Sequence, residues 1–249
     1  MNINPQKEHY QNIHDDYEAH YYDTTSMAYR HQFIYSTLFK GLNLNGLSVA
    51  DIACGSGHNS IALKKFFPEV KTVGFDISKR ACEAYLQNTN SPAHLTDLTS
   101  KLSVKTKFDA AMIIGGIHHC VSDLNMTLTN IAQLLKPGGI LLMMEPNDEY
   151  FASSLRNYWY GKDKWFEEET ESALSHSTIF RMASDNFFIK DVKYFGGPAY
   201  FLILNSLIVR VPIKLKPALA MLLFPIERLV SAMPGRYLFP AFLARWERK

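Results

Sequence analysis

The chain has 249 residues and is short of several things that would define a class at once. Its three cysteines, Cys54, Cys82 and Cys120, are odd in number and form no CxxC pair, which argues against a disulfide framework or a zinc site and for a reducing, cytoplasmic setting. No run of eighteen apolar residues occurs, and the first residues, Met1 to Glu8, lack an apolar leader core, so neither a membrane span nor secretion is expected. There is no internal repeat and no low-complexity tract. Net charge is only +2, which excludes a strongly polybasic binder. It is unevenly placed, however: residues 196–249 hold eight Lys and Arg against Glu227 and Glu247.

What the chain does have is a 47% hydrophobic content, sufficient for a sizeable core. It also has one organising stretch, Leu47 to His58. A short apolar run carries the acid Asp51, the chain turns through Gly55 and Gly57, and an amphipathic pattern (Ile61, Ala62, Leu63, Phe66) begins at once. Strand, tight loop and helix follow from that order. Bare glycine backbone and the free N–H groups of a helix start make such a loop a cradle for a nucleotide-type ligand. A dinucleotide fingerprint would need a further glycine where Ser60 stands, and Ala53 occupies the place of the first one, so an NAD-dependent oxidoreductase is disfavoured.

The alternation continues. Lys71 to Ser78 reads as a strand ending in Asp76, with Ser78 capping a helix to about Leu86. Asp76 lies nineteen residues past Gly57, where an acid at the end of the neighbouring parallel strand can accept both ribose hydroxyls. Asp97 follows a short third strand and is placed to accept from an exocyclic amine. Phe108 to Gly116 is a continuous apolar strand emptying into Ile117-His118-His119-Cys120. A helix with Leu124, Leu128, Ile131 and Leu135 on one face stops at Lys136-Pro137-Gly138-Gly139, before a fifth strand from Ile140. Such a pattern predicts a doubly wound α/β sheet with its ligands at the carboxyl ends of the strands.

Residues 8–40 read as helical, with Tyr10, His14, Tyr17 and Tyr21 on one face, either packed on the core or covering a ligand as a lid. Residues 1–45 are taken as an N-terminal helical lid and 46–249 as the main domain. The aromatic and acidic stretch 148–175 suits a pocket rim. Phe187 to Phe195 reads as a strand, and the last strand is expected at about 237–246. Between them an apolar, basic helical insertion spans about 197–236, cut by Pro212, Pro217 and Pro225 into pieces too short to cross a bilayer. Flanked by Arg210, Lys214, Lys216 and Arg228, it suits a cap on the pocket, a homodimer contact or a peripheral contact with an anionic membrane surface.

These residues resemble the class I S-adenosylmethionine-dependent methyltransferases. Asp51-Ile52-Ala53-Cys54-Gly55-Ser56-Gly57 is similar to the family's glycine-rich motif, Gly74-Phe75-Asp76-Ile77-Ser78 to its ribose-binding motif, and Leu134 to Gly139 to the turn before its fifth strand. The resemblance implies a Rossmann-like, seven-stranded sheet with one antiparallel strand. It implies S-adenosyl-L-methionine as cofactor, with the backbone around Ala53, Gly55 and Gly57 on the methionine part, Asp76 on the ribose, Asp97 with Leu98 on the adenine, and Asp51, Cys54, Ile77 and Gly115 as further cofactor-binding residues. Tyr17 resembles a lid tyrosine, and Arg30 is a partner for the cofactor carboxylate.

The Asn/Asp-Pro-Pro-Tyr type motif of enzymes that methylate DNA bases or glutamine is missing; Gly115-Gly116-Ile117-His118-His119 stands there. That favours O-methylation of a small-molecule acceptor, a sugar, lipid-linked molecule or secondary metabolite, with no nucleic acid and no metal. His119 is the favoured general base, since it and Ile117 should alternate in facing with His118; His118 and His176 are the other candidates. The alternative is a non-catalytic module of the same fold serving membrane or partner association.

Overall fold

The computed structural model describes residues 19–154, 172–207 and 209–249. Seven strands are present: β1 (Ser48–Ile52), β2 (Lys71–Asp76), β3 (Ala93–Leu95), β4 (Phe108–Ile114), β5 (Leu135–Pro146), β6 (Phe187–Phe195) and β7 (Ala241–Arg248). They form one sheet in the order β3-β2-β1-β4-β5-β7-β6. The strands from β1 to β5 pair in parallel, and β7 runs antiparallel to both β5 and β6. This is the expected Rossmann-like sheet with one antiparallel strand.

Alternation along the central strands divides the interior into two cores, one on each face. Val49, Met112 and Leu142 pack with Tyr29, Ile34 and Leu63 on one side. Ala50, Ala111 and Leu141 pack with Ile131, Phe187 and Trp246 on the other. The helices that supply these faces are α1 (Thr24–Tyr29), continued by a π-helical turn Arg30–Tyr35, then α2 (His58–Phe66), α3 (Lys79–Thr89), α4 (Leu124–Leu134), α5 (His176–Ala183) and α6 (Lys216–Val230). Ser78 caps α3 as expected, accepting from Ala81 N at 3.3 Å.

Three boundaries differ from the sequence reading. β5 begins at Leu135 rather than Ile140, because Leu135 already pairs with Phe108 before a bulge resets the register at Ala110. The last strand begins at Ala241 rather than near residue 237, since Arg236–Leu238 forms a 3-10 turn. Pro225 does not cut the insertion: α6 runs through it, and Pro217 sits in the first turn, where a missing N–H costs nothing. Of the N-terminal aromatic face, Tyr10, His14 and Tyr17 lie outside the described residues. The described part packs on the sheet, with Tyr29, Ile34 and Tyr35 fully buried.

Candidate active site

A cleft opens at the carboxyl ends of β1, β2 and β4. After β1 the chain turns through Ala53 (φ 52°), Gly55 (φ 51°) and Gly57 (φ 88°). At Gly57 a side chain is impossible for two reasons: the backbone is left-handed, and a Cβ would lie 2.4 Å from Thr89 Cγ2. A Cβ at Gly55, by contrast, would meet nothing within 4 Å, so the backbone there is bare toward the cleft. Gly116, after β4, packs so closely that a Cβ would come within 2.8 Å of the Ala53 methyl. The two loops therefore brace one another.

Asp76, at the end of β2, lines the cleft and fixes its floor, accepting from Gly55 N through Oδ2 and from Ser78 N through Oδ1, each at 2.9 Å. Asp97 lines it further along, with Oδ1 accepting from Thr99 N at 2.9 Å and Thr99 Oγ1 at 2.6 Å. Ala53, Gly55, Ile77, Leu98 and Gly115 also border the space. Cys54 does not: its side chain is buried, and its backbone N donates to Phe75 O at 3.2 Å.

Asp51 is fully buried at the end of β1. Its Oδ2 accepts from Ser60 Oγ at 2.6 Å, and Ser60 in turn meets the Tyr85 hydroxyl at 2.7 Å. Its Oδ1 has no hydrogen-bond partner among the described residues, and burial raises its pKa to about 7. Arg30 is buried as well; its Nε donates to Tyr21 O at 3.3 Å, and its guanidinium lies 4.7 Å over the ring of Tyr22, which borders the cleft. Tyr22 also stacks on His58, with centroids 4.2 Å apart. Tyr17 lies outside the described residues.

His119 borders the cleft, but not through strand alternation: Ile117–His119 is a 3-10 turn, with Ile117 buried in the core. That turn is held by Glu145, a fully buried carboxylate at the end of β5. Oε1 accepts from Gly116 N at 3.0 Å and Ile117 N at 2.8 Å, and Oε2 lies 2.7 Å from His118 Nδ1. The rings of His118 and His119 have centroids 3.8 Å apart. The third candidate, His176, is not brought to the cleft. It begins α5 and accepts from Trp246 Nε1 at 3.1 Å in the core, where burial lowers its pKa to about 4.

Glu145 is the residue that sequence reasoning missed. Its signal was the one that marks Asp51 and Asp76, an acid closing an apolar strand, here hidden by the exit loop Pro146-Asn147. Tyr22 was missed because it falls one residue off the aromatic stripe.

Residues 50–141 match the sequence model of a methyltransferase domain. A tRNA U34 carboxymethyltransferase from Campylobacter curvus is 29% identical over 110 residues, 42% of this chain and 36% of that protein, so the match spans little more than a third of the relative. Among solved structures, the N-methyltransferase NodS from Bradyrhizobium japonicum in complex with S-adenosyl-L-homocysteine aligns at TM-score 0.59 and 15% identity, over 96% of this chain and 98% of that one. A possible histamine N-methyltransferase from Thermotoga maritima aligns at 0.62 and 16%, over 98% and 99%. At such identities the likeness is one of fold. Residues 50–141 thus carry a methyltransferase domain match, and the sheet order with the loop and acids at its carboxyl edge gives the chain the fold of the class I S-adenosylmethionine-dependent methyltransferases.

Proposed function

We propose that this chain is an S-adenosylmethionine-dependent methyltransferase acting on a hydroxyl of a small-molecule acceptor, with His119 as the general base. The observation that carries the reading is that His119 shares one cleft with Asp76, Asp97 and the Ala53–Gly55 loop. The residues present fit the cofactor. The unpartnered Asp51 Oδ1 suits an ammonium group, the bare backbone at Gly55 admits close approach, and Asp76 offers a carboxylate for ribose hydroxyls. When bound, S-adenosyl-L-methionine supplies a methyl group activated on a sulfonium.

The remaining work falls to the chain. His119 takes the acceptor's hydroxyl proton on a ring nitrogen, a contribution of about 10²–10⁴ in rate. Glu145 and His118 are positioning residues: the three backbone N–H groups of the 116–118 turn converge on one buried carboxylate, which also meets the His118 ring and fixes where the His119 ring starts.

His119→Ala is expected to lower kcat at least about a hundredfold while calorimetric affinity for S-adenosyl-L-homocysteine stays within about twofold. Asp76→Ala should show the converse, a loss of affinity. Full turnover in His119→Ala would remove that residue as the base.

The relative described as a tRNA-modifying enzyme supports a second reading, an RNA acceptor. The carboxylates lining the cleft and the acidic balance of residues 1–195 weigh against it. Binding of tRNA that weakens steeply with added salt and protects His119 from modification would favour the RNA reading.

A further inference from the structure

Helix α6 is built inside out. Lys216 and Glu227, two of its three charged residues, lie on the buried side with Leu223, and all three are nearly or fully inaccessible. Lys216 Nζ donates to His20 O at 2.6 Å, to Ser26 Oγ at 2.8 Å and to Asp23 Oδ2 at 2.5 Å. Glu227 accepts from Tyr29 OH and Gly197 N, each at 2.7 Å, and from Ala199 N at 2.9 Å. The polar groups of the helix are thus consumed by the fold. Its outward side carries Met221, Leu222, Ile226 and Leu229, exposed by 83, 66, 39 and 75%, together with Pro225.

Adjoining segments extend the same surface, with Ile213 and Leu215 exposed before the helix and Met233 after it. Four large apolar side chains standing out from one helix face exceed what scattered surface residues explain. None of the described residues of 199–230 borders the cleft.

Charge selects the occupant. Arg210, Lys214 and Arg228 are exposed around this face, and the sole acid of residues 196–240, Glu227, is buried. An apolar strip with a cationic rim, in a segment whose one acid is buried, matches an anionic lipid surface, into which such a strip sinks by several ångströms. No described helix is long and apolar enough to cross a membrane, so the contact would be one of lying on the surface. We propose that the outward face of α6, with Ile213, Lys214 and Leu215, docks the enzyme on an anionic bilayer. This does not depend on the identity of the acceptor or of the base.

The test is co-sedimentation of the full chain with vesicles of phosphatidylcholine, alone or with about one-third phosphatidylglycerol, at about 0.1 M salt. Partitioning at least tenfold higher onto the anionic vesicles is expected. Leu222→Asp with Leu229→Asp should abolish it while circular dichroism and S-adenosyl-L-homocysteine affinity hold. Arg210→Gln with Lys214→Gln, which leaves the apolar strip whole, should lower it roughly tenfold or more. Equal sedimentation of wild type and the double aspartate variant, or no sedimentation of the wild type, overturns the proposal. So does a dimer in light scattering that the aspartate pair splits without any vesicle binding, which would make the face a contact between copies.

Discussion

The carboxylate of Asp51 is buried with one oxygen bonded to Ser60 and the other unpartnered among the described residues, and burial holds its pKa near 7. A cation placed against that free oxygen favours the charged form and draws the pKa down. Cofactor binding should therefore release a proton at pH 6, where Asp51 is largely protonated, and none at pH 8, where it is already ionised. Calorimetry in buffers of different ionisation enthalpy reads this directly. Asp51→Asn, which keeps an acceptor for Ser60, should abolish the release at pH 6 and weaken affinity; unchanged release in that variant would assign the proton elsewhere. Histidine chemistry divides the same way by surroundings. His119 stands on a cleft-side turn, whereas His176 sits in the core, where burial favours its neutral form and Trp246 Nε1 donates to it.

For the elements, Lys216 and Glu227 tie α6 to α1 and to the chain after β6. Lys216→Met removes the charge that balances Asp23 and takes one donor from each of three acceptors. Loss of one member of a buried pair costs about 3–5 kcal/mol, which denaturant unfolding would show as a lowered midpoint with cofactor affinity preserved in the folded fraction. Retention of the wild-type midpoint would show that the clamp carries little stability.

The strands were legible because a sheet covered on both faces leaves continuous apolar runs, as in Phe108–Ile114. Asp76 was legible because it ends β2, and Asp97 because it follows the short β3. The insertion was not, since its basic residues read as a surface rim when Lys216 in fact points inward to Asp23. Pro225 read as a breaker, but it lies on the exposed side, where a missing hydrogen bond and a crowded carbonyl can be relieved toward solvent. The 3-10 turn at His118–His119 depends on Glu145, some 27 residues on in sequence, a contact that no local pattern encodes.

Across the whole molecule, two buried groups set opposing dependences of stability on pH. Asp51, raised from an ordinary 3.8 to about 7, binds its proton more tightly folded than unfolded, so its contribution to stability falls as pH rises from about 4 to 7. His176, lowered from 6.5 to about 4, binds its proton more tightly unfolded, so its contribution is complete above about 6.5 and is lost as pH falls toward 4. Asp109, held near 2 by Lys136 and Ser48, acts below that window. Between pH 4 and 6.5 the two slopes, each at most about 1.4 kcal/mol per pH unit, offset one another. The ligand-free wild type should accordingly show a shallow profile there. Asp51→Asn should grow more stable with rising pH, exposing the histidine, while His176→Gln, which keeps an acceptor for Trp246, should grow less stable, exposing the aspartate. Parallel profiles for all three proteins in chemical unfolding from pH 4 to 8 would show that neither buried group titrates with folding.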